Sequence, residues 1–463
     1  MLTRFFIHVK LKSTGLVASF MFFTFIANAQ EASFFESVQL DSSLLKKKPA
    51  QQWWPASGTL MAAEITPWVV DRYVRNMDYA RITWRSTAHN LDPGSWEWDG
   101  DGFTTNQFGH PYHGSIFFNA FRSNGYNFWQ SSAAAFAGSY LWETFAENQA
   151  PAPNDFINTG FGGSVLGELA HRFARRIVST RKSGFRRHAA EVSALLLNPV
   201  SGLKRISNRS WGKNTDRDTT PVQAELDAGL RRFRINASRY HWAPYGRVRF
   251  SYGDPFRQSK QPFDHFGILV ELGHDDSAVV NAVHIFGTLR NWQINPAIRH
   301  SKHAVQLTAN YDYIHNNAFF YSSQSLRANL ISSFQGPKME VVTQAGGGLI
   351  LLAAVPDPVE YKGRYYSYCM GVGYNAAVML KLSHSLMAGI HYRGGYLRTV
   401  NGSAKDYFLH AFSGEVRLRL LPGLFFCTEP GHFSLTGRYA HLPEIQRVYP
   451  YIRTSLRWDF TIR

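Results

Sequence analysis

Tyr451-Ile-Arg-Thr-Ser-Leu-Arg-Trp-Asp-Phe-Thr-Ile-Arg463 alternates apolar and polar side chains with period two. Ile452, Leu456, Trp458, Phe460 and Ile462 point one way, and Arg453, Ser455, Arg457, Asp459, Thr461 and Arg463 the other, because successive residues of a strand take opposite faces. One oily face and one charged face suit the wall of a transmembrane β-barrel, with lipid outside and a polar lumen inside. An arginine at the bilayer midplane costs about 2–4 kcal/mol, so Arg453 and Arg457 are expected to face the lumen. The competing reading is an edge strand of a soluble sandwich.

Working upstream, the alternation recurs. Val248, Phe250 and Tyr252 oppose Arg247, Arg249 and Ser251; Leu307, Ala309, Tyr311 and Tyr313 oppose Gln306, Thr308, Asn310 and Asp312; Val416, Leu418 and Leu420 oppose Glu415, Arg417 and Arg419. Tyr366 to Leu380 keeps its apolar side chains on even positions. The residues from 220 to 463 are therefore predicted to form an antiparallel barrel of about twelve strands, an even number as barrels of this kind have. The alternation is ambiguous at Val279–Leu289 and weak at Ala318–Ile331. Long connections are expected near Arg290–His303 and Val355–Arg364. An even count returns the C-terminus to the side of the N-terminus.

Arg4, Lys10 and Lys12 precede an apolar run from Gly15 to Ile26, and Ala27-Asn28-Ala29 offers a cleavage site. Residues 1–29 thus read as a secretory signal peptide, and residues 30–65, with Lys46-Lys47-Lys48, as a periplasmic linker. The net charge of +16 falls by three when the signal peptide's basic residues leave. Export turns that basic balance toward anionic lipid or an acidic solute and away from nucleic acid. A mean hydropathy of -0.25 with 15% aromatic residues fits a wall that hides half its polarity in a lumen and carries aromatic girdles. Cys369 and Cys427 lie in separate predicted elements and form either one disulfide or two buried thiols.

Residues 66–210 carry helical periodicity instead, and the polar residues of interest sit there. His110-Pro-Tyr-His-Gly114 is followed by Arg122, by a small-residue helix ending at Trp142-Glu143, and by Asn154-Asp-Phe-Ile-Asn158 and Gly167-Glu168. Asn154 or Asp155 is expected to cap a helix after Pro151 and Pro153. Ala133, Ala134, Ala137 and Gly138 would let helices approach closely. His113 with Glu143 and Asp155 could run acid–base chemistry or bind a divalent metal. Alternatively His110, His113, Arg122, Glu143, Asp155, Asn158 and Glu168 form a buried polar network that holds glycine-rich helices together.

This combination of His-Pro-Tyr-His-Gly, Asn-Asp-x-Ile-Asn and a Gly-Glu pair resembles an uncharacterised family of Gram-negative envelope proteins, a domain of unknown function, over about residues 70–210. The resemblance implies an exported, barrel-associated protein and brings no reaction with it. The order of these motifs is also loosely similar to small helical membrane domains of the vancomycin–teicoplanin resistance type. Ser123-Asn-Gly125 resembles the tripeptide of the outer-membrane phospholipases, whose serine is served by a histidine two residues earlier. Here that position is Phe121, which leaves Ser123 without a base.

Glu97, Asp99 and Asp101 alternate as calcium-loop ligands do, but Phe108 stands where the loop requires a bidentate Glu, so an Asp/Gly turn is the competing assignment. His171-Arg172, Arg175-Arg176, Arg181-Lys182 and Arg186-Arg187 read as a basic stripe for lipid headgroups or as a solvated helix face.

Together these readings give an integral outer-membrane barrel with an N-terminal helical module that docks under the barrel or plugs it. The expected partners are outer-membrane lipids, plus the barrel-assembly machinery during insertion. No cofactor is implied, and the oligomeric state is not encoded legibly. The favoured role is non-enzymatic: lipid or solute handling, or structural support. The alternatives are a lipid-modifying enzyme built on His113, Glu143 and Asp155, or an anion-preferring channel lined by Arg417, Arg419, Arg453 and Arg457.

Overall fold

The computed structural model describes residues 50–179, 183–213, 218, 220–234, 240–273, 278–294, 300–316 and 319–462. The proposed signal peptide and most of the proposed linker lie outside these. The C-terminal half is a closed barrel of twelve antiparallel strands joined in simple succession: β1 (Val222–Arg234), β2 (Tyr240–Tyr252), β3 (Phe266–Gly273), β4 (Val280–Ile294), β5 (Ser301–His315), β6 (Phe320–Gln335), β7 (Glu340–Tyr361), β8 (Arg364–Lys381), β9 (Leu386–Asn401), β10 (Asp406–Leu421), β11 (Leu424–Arg438) and β12 (Ile445–Ile462). β12 closes on β1, with Val222 opposite Ile462 and Asp227 opposite Arg457. The barrel therefore begins and ends at one rim.

Register separates the two faces of the wall. Arg453 of β12 meets Glu271 of β3, and Arg247 of β2 meets Glu429 of β11. Contacts between such distant strands run through the interior, so these residues face inward. Their neighbours, among them Ile390, Phe412, Val416, Leu418, Leu456 and Trp458, face outward and are exposed. A band of exposed large apolar side chains on a closed barrel is the exterior that acyl chains solvate.

One expected loop is absent and another is shortened. β7 runs straight through Pro356-Asp-Pro358 to Tyr361, and Lys362-Gly363 turns it into β8. β4 and β5 likewise consume most of Arg290–His303. Prolines read as punctuation are tolerated where pairing becomes irregular, as it does between Pro356 and Tyr361. The longest connection between consecutive strands is instead the stretch 253–265 between β2 and β3.

Helices begin at Trp53, inside the stretch expected to be linker: α1 (Trp53–Val69), α2 (Trp84–Asn90), α3 (His110–Arg122), α4 (Phe128–Phe145), α5 (Pro153–Ile157), α6 (Gly163–Val178), α7 (Gly184–Leu197) and α8 (Pro199–Ser207). Wider π-turns precede α3 at Thr105–Gly109 and α6 at Asn158–Gly162. Asn127 caps α4 reciprocally with Gln130. Pro153, rather than Asn154 or Asp155, opens α5, which suits a residue without an N–H and leaves both polar side chains to the interior. α3 meets α6 and the π-turn before it without room for a side chain: a Cβ on Gly114 would stand 1.9 Å from the Thr159 carbonyl oxygen, and one on Gly163 2.5 Å from the Gly114 carbonyl carbon. Ala134 and Gly138 are buried as close-packing residues, whereas Ala133 and Ala137 lie at the surface.

The module neither plugs the barrel nor hangs beneath it; it lies against the outside of the wall. Its core, with Phe117, Phe118, Phe128 and Val165, is continuous with Val222, Tyr252, Phe266, Ile285, Ala309, Tyr311 and Tyr313. On the outward face of β4 and β5, Ile285 pairs with Tyr311, Gly287 with Ala309 and Val283 with Tyr313. Contacts reach both rims, from the start of β1, where Arg176 donates to the Ile462 carbonyl, to the start of β8, where Arg364 donates to the Asp99 carbonyl.

Candidate functional site

Three helices bring one acceptor or donor each to a single point. His110 stands at the start of α3, Glu143 near the end of α4 and Asp155 in α5, and their ligand atoms lie within 4.8 Å of one another. His110 Nε2 is 3.4 Å from Asp155 Oδ1, and Nδ1 is 3.2 Å from the Thr159 hydroxyl. Glu143 accepts from the Ala152 N–H at 3.0 Å, and Asp155 accepts from the Asn154 amide at 2.8 Å. Glu143 and Asp155 are 3% and 5% exposed.

His113 is not the histidine that meets these acids. Its Nε2 is 3.3 Å from the Ala63 carbonyl, and its ring packs against Phe117 and Trp142 at 4.3 and 4.9 Å. The three-residue offset turns one ring toward α5 and the other toward α1. The expected polar network divides accordingly. Arg122 forms a bidentate pair with Glu168, at 2.6 and 3.1 Å, and Arg172 joins the same carboxylate at 2.8 Å. Asn158 lies on the barrel side, accepting from outward-facing Gln324 of β6 at 2.7 Å.

The electrostatics of the two groups are opposite. Burial raises Glu168, but Arg122 and Arg172 outweigh it and hold the carboxyl down at about 2. Glu143 and Asp155 have no such help. Burial pushes both well above the ordinary carboxylate range, Glu147 and Glu143 respectively add like charge, and Asp99 adds more. Burial also raises Glu147 to about 7 and lowers His110 to about 3. A carboxylate-rich pocket without a guanidinium or ammonium either holds protons or accepts a cation.

Beside this cluster, α1 and α4 leave an open groove of about 230 Å³ lined by Met61, Glu64, Ile65, Trp68, Ile82, Leu141, Phe145 and Ala146. Glu64 is 6% exposed, has no hydrogen-bond partner and is raised by burial to about 8. Its sequence signal is that Glu64 is the one charged residue of α1.

The remaining candidates are placed as follows. Asp99 Oδ1 accepts from the Asp101 N–H at 3.0 Å in a tight turn, and Glu97, Asp99 and Asp101 form no ligand group among the described residues. Phe121, two residues before Ser123, packs on Trp53 and Tyr126. Of the basic stripe, Arg172 also pairs with Asp264 and Arg187 with Glu191, Arg175 and Arg186 are exposed, and Arg181 and Lys182 lie outside the described residues. Cys369 and Cys427 are both buried free thiols.

The lumen-facing arginines each meet carboxylates. Arg457 contacts Asp227 at 2.8 Å and Glu415 at 2.7 Å; Arg453 contacts Glu429 at 2.8 Å and Glu271 at 3.2 Å; Arg417 contacts Glu415 at 2.8 Å and Glu225 at 3.1 Å. Arg419 is exposed near the end of β10 and reaches the Leu421 carbonyl. Toward the other rim the interior holds an apolar cluster, with Phe319 against Phe433 and Tyr449 and with Leu397, Leu409 and Leu435, beside the buried Asp357, which accepts from Ser367, Tyr407 and Tyr439.

Residues 95–200 match the model of a domain of unknown function (DUF3943). No curated protein matches the chain. Among solved structures, the chain is similar to the NanC porin, at 12% identity over 50% of this chain and 98% of that one with a TM-score of 0.28. It is similar to an outer membrane channel from Pseudomonas putida F1, at 9% identity over 52% and 95% with a TM-score of 0.30. It is also similar to OmpT, an outer membrane protein of Vibrio cholerae, at 6% identity over 53% and 99% with a TM-score of 0.26.

Proposed function

We propose that this is an integral outer-membrane barrel that handles lipid, in which the barrel is the anchor and the helical module on its lipid side is the working part. Export through residues 1–29 and insertion by the barrel-assembly machinery belong to this reading. The observation that carries it is the position of the module, against outward side chains of the wall from β1 to β8. Helices placed there share the membrane plane with acyl chains, and their surface is suited to it. Residues 103–171 contain only five Arg, Lys, Asp or Glu residues: Arg122, Glu143, Glu147, Asp155 and Glu168. None of the five is exposed, while Tyr112, Trp129, Tyr140 and Phe145 are. The groove between α1 and α4 has the apolar lining that a hydrocarbon segment requires.

An anion channel is the weaker reading, since a conducting lumen keeps its charges wet. Here Arg457, Arg247, Glu271 and Asp227 are all 5% exposed or less. The lipid reading is tested by placing a photoreactive residue at Ile65, which is 51% exposed at the groove, in protein reconstituted into phosphatidylethanolamine–phosphatidylglycerol vesicles. Irradiation is expected to yield phospholipid adducts detectable by mass spectrometry. Complete absence of lipid adducts from folded protein would overturn the reading.

A further inference from the structure

We infer that His110, Glu143 and Asp155 form a binding site for one borderline divalent cation, zinc rather than magnesium or calcium. This site stands on its own geometry and does not depend on the lipid reading. One imidazole nitrogen and two carboxylate groups lie within 4.8 Å of one another, contributed by three helices whose crossing leaves no slack. An imidazole with carboxylates selects zinc-like ions over the hard all-oxygen ones, and three protein ligands leave a fourth position open.

Four further observations point to a missing positive charge. Neither Glu143 nor Asp155 pairs with Lys or Arg among the described residues; His110 is the only basic side chain within ion-pair distance of Asp155. The Thr159 hydroxyl beside Nδ1 is placed to fix the ring, as a second partner does for a metal-bound histidine. His110 Nε2 faces Asp155 Oδ1 at 3.4 Å, longer than an ordinary N–H···O hydrogen bond, so the two atoms converge on one point without closing directly on each other. Ser139, 1% exposed, lies one helical turn before Glu143, on the α4 face whose Phe136 packs on Phe156 and Gly160. Its hydroxyl is buried and has no hydrogen-bond partner among the described residues, as a side chain awaiting a metal-bound water would.

The full-length protein, folded in detergent and stripped with EDTA, is dialysed against Zn²⁺, with Mg²⁺ in parallel, and bound metal is counted by plasma mass spectrometry. About one zinc per chain and no retained magnesium are expected. Asp155→Asn and His110→Gln should each weaken zinc binding at least tenfold, while His113→Gln, whose ring faces Ala63 and Trp142, should retain it. Heat-modifiable migration on gels reports whether each variant is folded. Should a variant misfold, the wild type still decides, because zinc and not magnesium should raise its midpoint of thermal unfolding. Wild-type protein that holds no zinc at neutral pH, or folded Asp155→Asn that binds as tightly as the wild type, overturns the assignment and leaves a proton-sharing acid pair.

Discussion

Glu168 shows how one side chain ties the module to the wall. Its carboxylate is fully buried and takes both Arg122 of α3 and Arg172 of α6, and Arg172 continues to Asp264 and the Pro262 carbonyl in the β2–β3 connection. Removing one partner from a buried charge cluster strands the others, which typically costs about 3–5 kcal/mol. Glu168→Gln is therefore expected to lower the urea midpoint of the module by that order, read by tryptophan fluorescence in vesicles; an unchanged midpoint would show that the guanidinium groups find water instead. The pH dependence has a defined sign. The folded-state value lies near 2, below the ordinary 4.5, so the stabilisation is complete above the ordinary value and is lost as pH falls through about 2. Glu168→Gln should flatten that acid limb. The Gly-Glu pair drew attention to this residue in the sequence, but its partner Arg172 was read as part of a surface stripe. Single-residue reading also mistook His113 for His110, because two histidines three apart on a helix cannot be ranked until the neighbouring helices are placed.

At the level of elements, the barrel is legible wherever the outward face is apolar, under the module on β5 as well as on the free wall, and least legible where the module covers polar outward side chains. β12, β8 and β10 alternate cleanly because Leu456, Val372 and Leu418 meet acyl chains. β6 looked weak because its outward positions include Ser322 and Gln324, which are fully buried beneath the module, Gln324 against Asn158. The weakness was itself the signal of a docked partner. Tyr366 and Tyr368 on β8 and Tyr311 on β5 tell the same story, as their hydroxyls bond the Asp101 carbonyl, the Asn106 amide and the Gln107 carbonyl. Within the module, the crossing of α3 and α6 depends on two glycines. Gly114→Ala would drive a methyl into the Thr159 backbone, and overpacking against backbone costs about 1–3 kcal/mol or more. Loss of module protection from protease with the barrel's heat-modifiable band intact is the expected result. Gly102→Ala, where a methyl meets nothing within 4 Å, is the control and should be silent.

For the whole molecule, the interior and exterior of the barrel exchange their usual roles. The lumen is crossed by Arg231, Arg247, Arg417, Arg453 and Arg457 interleaved with Glu225, Asp227, Glu271, Glu415 and Glu429, and the outer wall receives the second structural unit. The sequence shows the inward arginines and Glu415 beside Arg417, but not Glu225, Asp227, Glu271 and Glu429, since cross-lumen partners are set by barrel closure and not by spacing along the chain. Planar-bilayer recordings of the wild type should accordingly be silent, and Arg457→Ala with Arg453→Ala should create leak currents by removing two of the crossing side chains.

The position of the module is tested most directly by parity along β6. Asn158→Cys is paired either with outward Gln324→Cys or with its inward neighbour Ser323→Cys, in a background where Cys369 and Cys427 are replaced by serine, and each pair is treated with a short bifunctional thiol reagent in outer-membrane vesicles. Efficient cross-linking of 158 to 324 and none of 158 to 323 is the expected result. The reverse pattern would place the helices in the lumen and contradict the account.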